Sequence, residues 1–340
     1  MERDRSLPEC SMRLEMRPLE AAVGHIVCHN IPDPQGRKAL AKGRVLRADD
    51  LPRLAGLGLR ELRVAVLDPD DVHEDEAARR LAAALAGPGV TAGPAHAGRA
   101  NLHAAVLGPL AVDVAALLAI NELDGLTAAT LPAHALARPG QTLATIKVIP
   151  FAVPAADLAR AEALGRETGG VLRVPELRLR AVGVVLVSSL AARARVERGV
   201  FPAVEGRVRD LGGAVLACRY VPPDEAAVAE ALEGLRAGGA ELIVAAGETS
   251  VVDLEDVMPR GVRLAGGRVE HYGAPVEPGN LLLLAYLPAL GEGELPVLGA
   301  PGCVRSRDTN IVDLLLPRLM AGEQVRRRDI TVLGHGGLLH

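Results

Sequence analysis

The chain has 340 residues, 38 basic against 42 acidic, and a formal charge of −4, which gives no electrostatic reason to bind nucleic acid. It is 49% hydrophobic but only 1% aromatic, with no Trp, so few side chains are available to stack on bases or sugars. Its length exceeds one ordinary core, and two domains built from Leu, Val, Ile and Ala are expected.

No apolar run approaches the roughly 18 to 20 residues of a membrane span. The start, MERDRSLPEC, is charged where a secretory signal needs an apolar stretch, so a cytoplasmic protein with no membrane partner is expected. Cys10, Cys28, Cys218 and Cys303 are scattered without a CxxC pair and read as free thiols.

The first half, residues 1–180, alternates short strand-like pieces with two helical stretches, which predicts a mixed α+β domain. Asp71 to Ala86 places acidic residues before Ala and Leu at helical spacing, and Gly87-Pro88-Gly89 stops it. Pro109 to Asn121 reads as the second helix, and Leu143 to Ile149 as a strand closed by Pro150.

From Ala181 the rhythm changes. Val182 to Val187 is a continuous buried strand, a helix is expected from about Arg195 to Leu211, and Ala214 to Tyr220 is a second strand. Asp224 to Arg236 is a capped amphipathic helix, followed by a strand from Glu241 to Ala245. This alternation predicts a C-terminal three-layer α/β/α domain with a mostly parallel sheet over residues 181–340. Ligands of such sheets sit beyond the carboxyl ends of the strands.

Three loops fall where that edge is expected. In AAGETSVVDLEDVMP, Gly247 permits a close turn, Thr249 and Ser250 offer hydroxyls, and Asp253 and Asp256 are expected at (i, i+3) just inside a helix. Two carboxylates on one helical face suit Mg²⁺ or another hard cation, although acidic residues also cap helices without any ligand. In LGAPGCVRSRDTN, small residues lead from a strand into a helix expected from about Ser306 to Met320. Gly299, Pro301 and Gly302 there can bring backbone N–H groups to a phosphate, with charge from Arg305 and Arg307, or simply pack helix on sheet. Cys303 near that helix start is either a small buried thiol or a thiolate of lowered pKa. GAPVEPGN, residues 273–280, is a Pro/Gly loop that either lies over a ligand or only connects strands. His25 and His29 lack a third ligand nearby, and no P-loop, GxGxxG, HExxH or GxSxG is present.

Together AELIVAAGETSVVDLEDVMP, GAPVEPGN and VLGAPGC, in this order on a βαβ scaffold, resemble the molybdopterin-binding domain of molybdenum cofactor biosynthesis proteins. Asp256-Val257-Met258-Pro259 is similar to the Asp-Val-Thr-Pro of the adenylyltransferase branch. The resemblance covers about residues 181–320. AVGHIVCHNI and KGRVLRADDLPRLAGLGLRELRV are similar to the segment that precedes this domain in molybdotransferase-like proteins. HEDEAARRLAAAL, GRANL, TLPAHALARPGQTLATIKVIPFAVP and RRDITVLGHGGLL resemble the group often fused to a molybdenum cofactor cytidylyltransferase, though no such module is expected here.

The resemblance implies a molybdopterin or molybdenum cofactor ligand, held by Gly247, Glu248, Thr249, Ser250, Pro278, Gly279, Gly299, Pro301, Gly302 and Cys303. It makes Asp253 and Asp256 the catalytic and metal candidates, for Mg²⁺ or molybdate. The implied activity is molybdate insertion or nucleotidyl transfer on molybdopterin, a transferase reaction. The alternatives are a non-catalytic carrier or sensor of the cofactor, and a pyridine-nucleotide or ADP-ribose hydrolase. A homo-oligomer is implied, with a cofactor cytidylyltransferase or a molybdoenzyme as partner. Two departures favour binding over catalysis: Glu248 stands where the family carries a second Gly, and Ser188-Ser189-Leu190 and Phe201-Pro202-Ala203 replace part of the usual catalytic set.

Overall fold

The computed structural model of the protein describes residues 12–248 and 250–339. It forms two compact units. One holds residues up to 174 except Leu107–Pro109 and His134–Leu136; the other takes those two short segments and the chain from Pro175 onward.

In the first unit, β1 (Arg13–Pro18), β2 (Ile26–Val27) and β3 (Glu61–Val66) form an antiparallel sheet in the order β1-β3-β2. Leu19, Leu40, Leu46, Leu54 and Val64 close a small core on it. Next come α1 (Glu74–Leu85), β4 (Val90–Ala92), β5 (Arg99–Ala104), α2 (Val114–Asn121), β6 (Leu126–Thr130), β7 (Thr142–Val148) and α3 (Ala155–Glu167). The four strands make an antiparallel sheet, β6-β7-β5-β4.

Both expected helices of this half start later than their composition suggests. Asp71–His73 is a short strand paired with Ala152–Pro154, and His73 Nδ1 accepts the Asp75 amide as the cap of α1. Ala111–Val112 pairs with Leu172–Arg173, so α2 waits for Asp113, whose carboxylate accepts the Ala116 amide at 2.9 Å. The helix α3 was not among the expected elements; Pro154 stands at its N-cap, where its missing N–H costs nothing. It buries Leu158, Ala161 and Gly165, and Arg80 of α1 holds Glu162 through two bonds of 2.8 Å.

The second unit runs β8 (Ala181–Val187), α4 (Arg193–Gly199), α5 (Phe201–Asp210), β9 (Ala214–Val221), α6 (Glu225–Ala237), β10 (Leu242–Gly247), α7 (Val257–Leu264), β11 (Arg268–Tyr272), β12 (Leu283–Pro288), β13 (Glu294–Gly299) and α8 (Ile311–Met320). Its six-stranded sheet has the order β9-β8-β10-β13-β12-β11. The first four strands are parallel and the last two antiparallel, so the sheet is mixed and mostly parallel, as the sequence indicates.

Strand alternation explains the three layers. Val182, Val184 and Leu186 face a core shared with α4, α5 and α8, while Val185, Ile243 and Ala245 face α6 and α7. Gly183 is small because a Cβ there would stand 3.0 Å from Leu235 of α6. The single helix expected over 195–211 is two, α4 and α5, with Pro202 in the first turn of the second. The helix expected from Ser306 begins at Ile311, because Asn310 caps it by accepting the Val312 amide. No helix among the described residues is long and apolar enough to cross a membrane.

Candidate functional site

The parallel strands β8, β10 and β13 end side by side, with Val187 in register with Gly247 and Ala245 with Gly299. Their ladder continues one residue past the strand ends: the Glu248 amide donates to the Val187 carbonyl at 3.0 Å and the Ala300 amide to Ala245 at 2.7 Å. The three loops therefore leave from one edge, around a cavity of 370 Å³. Ala245, Ala246 and Gly247 lie at its base with Gly299 and Ala300. Val257 and Met258 of α7 line it as well, and Ser188, Glu248, Ser250 and Asp256 supply its polar groups.

Side chains stitch the loops together. The Glu248 carboxylate accepts the Ser189 amide and the Ser189 hydroxyl, both at 2.8 Å, and joins the β10 loop to the β8 loop. Those two bonds, the hydroxyl's contribution leading, hold its pKa below the usual glutamate value. The Ser250 hydroxyl accepts the Gly302 amide at 2.9 Å, and Arg305 donates to the Glu248 carbonyl at 3.2 Å, which joins the β10 and β13 loops twice. A Cβ on Gly302 would stand 3.2 Å from Ser250 Oγ, so the approach favours a glycine.

Asp256 lines the cavity but does not share a helical face with Asp253. It occupies the N-cap position of α7, and Asp253 lies in the turn before it. Instead of capping α7, the Asp256 carboxylate turns back to accept the amides of Val252 and Asp253, while Asp253 accepts the Glu255 amide. Short acidic side chains bond their own neighbouring backbone readily, and that local closure displaces the helical pairing expected here. Among the described residues no three His, Cys, Asp or Glu come together as a metal-ligand set. The two carboxylates, each with an oxygen already held by backbone amides, do not fit a divalent cation, and no chemical step is derived through one.

Of the other expected site residues, Thr249 lies outside the described residues, as does Cys10. Pro278 and Gly279 pack away from the cavity: the Pro278 carbonyl accepts the Ile311 amide at 3.2 Å, and a Cβ on Gly279, whose φ is 137°, would collide with Ile311. Pro301 is buried beside the cavity edge. Cys303 sits half-buried in a 3-10 turn, Gly302–Arg305, and burial pushes its thiol up. Of the two readings of Cys303 this fits the small buried thiol, since the helix whose N-terminus would lower the pKa begins only at Ile311. Cys28, Cys218 and Cys303 are free, as expected.

Not anticipated in this cavity are its apolar lining, from Val187 and Pro223 to Val251, Val252, Val257 and Met258, and, among the polar groups, Ser188 together with the role of Ser189. Ser188 is 4% exposed and donates to the Tyr220 hydroxyl at 3.2 Å, which in turn donates to the Arg193 carbonyl at 2.7 Å. The signal available in the sequence was position: Ser188-Ser189 follows an apolar strand as Glu248 does.

Residues 16–66 match a family model described as a domain of unknown function (DUF8806). No curated protein matches the sequence. Among solved structures, the chain is similar to a protein assigned to molybdenum cofactor biosynthesis from Corynebacterium diphtheriae, at 17% identity and a TM-score of 0.31, over 41% of this chain and 93% of that one. It is also similar to the tungsten cofactor synthesizing protein MoaB from Pyrococcus furiosus, at 18% identity and a TM-score of 0.29, over 41% of this chain and 89% of that one. At these scores the structural likeness is distant and partial.

Proposed function

We propose that the cavity at the β8, β10 and β13 edge binds a phosphorylated pterin of the molybdopterin class. The observation that carries this reading is the meeting of two loops, GETS and GAPG, around one 370 Å³ space. In the sequence these loops belong to the resemblance to molybdopterin-binding domains. The volume lies at the lower end of small-ligand sites, roughly 300 to 1,000 Å³. Apolar residues such as Val257 and Met258 suit a flat ring, and the Ser250 hydroxyl, which accepts the Gly302 amide and keeps its own proton to donate, suits its phosphate.

Within this reading, holding the ligand is favoured over molybdate insertion or nucleotidyl transfer. The donors at the loop edges are already occupied: Ser189 by Glu248, Gly302 by Ser250, and the Val252 and Asp253 amides by Asp256. A phosphate reaching Ser189 would have to displace a carboxylate. A carrier or sensor of the finished cofactor is the form of the proposal these contacts favour; the cytoplasm as its compartment, and a molybdoenzyme or a cofactor cytidylyltransferase as its partner, come from the sequence alone. Titration calorimetry with a phosphorylated pterin tests the binding step. Affinity lost in a Val252→Trp variant, whose exposed side chain lines the cavity outside the core, supports the cavity as the site, and unchanged affinity overturns it.

A further inference from the structure

In the first unit, α2 and α3 flank a surface cleft of 810 Å³. From α3 it receives Arg160, Ala163, Leu164 and Glu167, and its opposite wall carries Glu122 and Leu123. Residues spaced 3, 4 and 7 apart share one face of a helix, and this one points away from the buried Leu158 and Ala161. The exposed Ala156 and Ala159 extend that outward face with short side chains. The helix α2, VAALLAIN, has no charged residue and leaves Val114 63% and Leu118 59% exposed.

The charges define what fits. Arg160 reaches only the neighbouring Asp157, at 3.4 Å and with its side chain 71% exposed, while Glu122 and Glu167 form no salt bridge among the described residues. Arg160 and Glu167 stand two helical turns apart, at opposite ends of an apolar centre. A two-fold axis between Ala163 and Leu164 maps position 160 onto position 167. We propose that α3 is a self-association surface on which α3 of a second copy of this chain packs antiparallel, pairing Arg160 of each copy with Glu167 of the other.

An isologous contact requires a patch complementary to itself, and this spacing provides one. The antiparallel order brings together two opposite-charge pairs, whereas a parallel order at the same register sets arginine against arginine. Ala163 lies at the axis, where a small side chain lets two helices approach closely. Glu122 on the facing wall gives the incoming Arg160 a second carboxylate. Ala119, Leu123 and Leu164 add apolar lining to the cleft, which an interface core needs in addition to paired charge.

Sedimentation velocity of the full chain from low to high micromolar concentration is the test. The wild-type chain is expected to pass from monomer to dimer. Arg160→Glu and Glu167→Arg, each alone, create like-charge contacts across the axis and are expected to weaken dimerisation by about tenfold or more. The double variant restores opposite charges between copies and is expected to recover the dimer. Within one helix the two positions do not touch, so recovery reports contact between copies. Ala163→Trp, at a half-buried position lining the cleft, fills the space of the incoming helix and, in a variant shown folded by circular dichroism, is expected to give monomer only. A wild-type chain that stays monomeric throughout overturns the proposal. So does a dimer unmoved by the single reversals, or a double variant that fails to recover.

Discussion

The carboxylate of Glu248 holds both the amide and the hydroxyl of Ser189 at 2.8 Å, so one side chain fastens the end of β10 to the end of β8. It sits where an anionic ligand group would compete for the same donors. Replacing Glu248 with Gly frees those donors and removes a negative charge from the cavity. Affinity for a phosphorylated pterin is expected to rise by about tenfold, the scale of one charge-assisted hydrogen bond. Calorimetry on the two proteins measures it, and an unchanged or lower affinity rejects the competition.

The same contact sets a pH dependence. Ser189 lowers the folded-state pKa of Glu248, so the contact stabilises the fold above the ordinary glutamate value of 4.5 and that contribution is lost as pH falls through the lowered value. The side-chain carboxyl carbon of Glu248 is expected to titrate below 4.5 by NMR, and Ser189→Ala should bring the midpoint back toward it. A midpoint at or above 4.5 in the wild-type chain would mean the bond is not formed in solution.

Ser250 provides the acceptor for the Gly302 amide at 2.9 Å. Ser250→Ala leaves that half-buried amide unpartnered and is expected to cost about 1 kcal/mol in urea unfolding, with a weaker pterin affinity. Full stability together with full affinity would show that the two loops do not depend on this bond.

Packing at the cavity base gives a steric prediction. A Cβ on Gly299 would stand 2.7 Å from the Leu283 Cβ, a separation that the neighbouring strand must relieve. Gly299→Ala is expected to destabilise the second unit by about 1 to 3 kcal/mol, the usual range for overpacking. Thermal unfolding reads this directly, and an unshifted midpoint contradicts the close approach.

Arg318 is 1% exposed and donates to both carboxylate oxygens of Glu323, with its remaining terminal nitrogen unpartnered among the described residues. Burial pushes Glu323 up, but Arg318 outweighs it and the net shift is downward. Arg318→Ala is expected to cost about 3 kcal/mol, the low end for breaking a buried pair, since the Glu323 side chain keeps 38% exposure. Chemical denaturation of the variant checks the value, and a loss under about 0.5 kcal/mol, as at ordinary surface sites, contradicts it.

What was legible in the sequence is what local pattern determines. Continuous apolar runs such as Val182 to Val187 placed the parallel strands and their carboxyl ends, and with them the loops that begin at Gly247 and Gly299. What was not legible depends on partners distant in the chain. Asp71–His73 is a strand only because Ala152–Pro154 lies beside it. Pro278 and Gly279 leave the site because Ile311 receives them, and Ser189 enters it because Glu248 reaches across from another strand. The Asp253 and Asp256 spacing suggested a helical pair, but the carboxylates close on turn amides that no spacing rule displays.

Native mass spectrometry of the protein isolated from cells that make molybdopterin tests the proposed function most directly. A bound mass equal to a phosphorylated pterin dithiolene, with or without molybdenum and a nucleotide, and absent from a folded Val252→Trp variant, is the predicted result. A chain that carries no pterin mass under those conditions, or retains the mass undiminished when the cavity is filled, would contradict it.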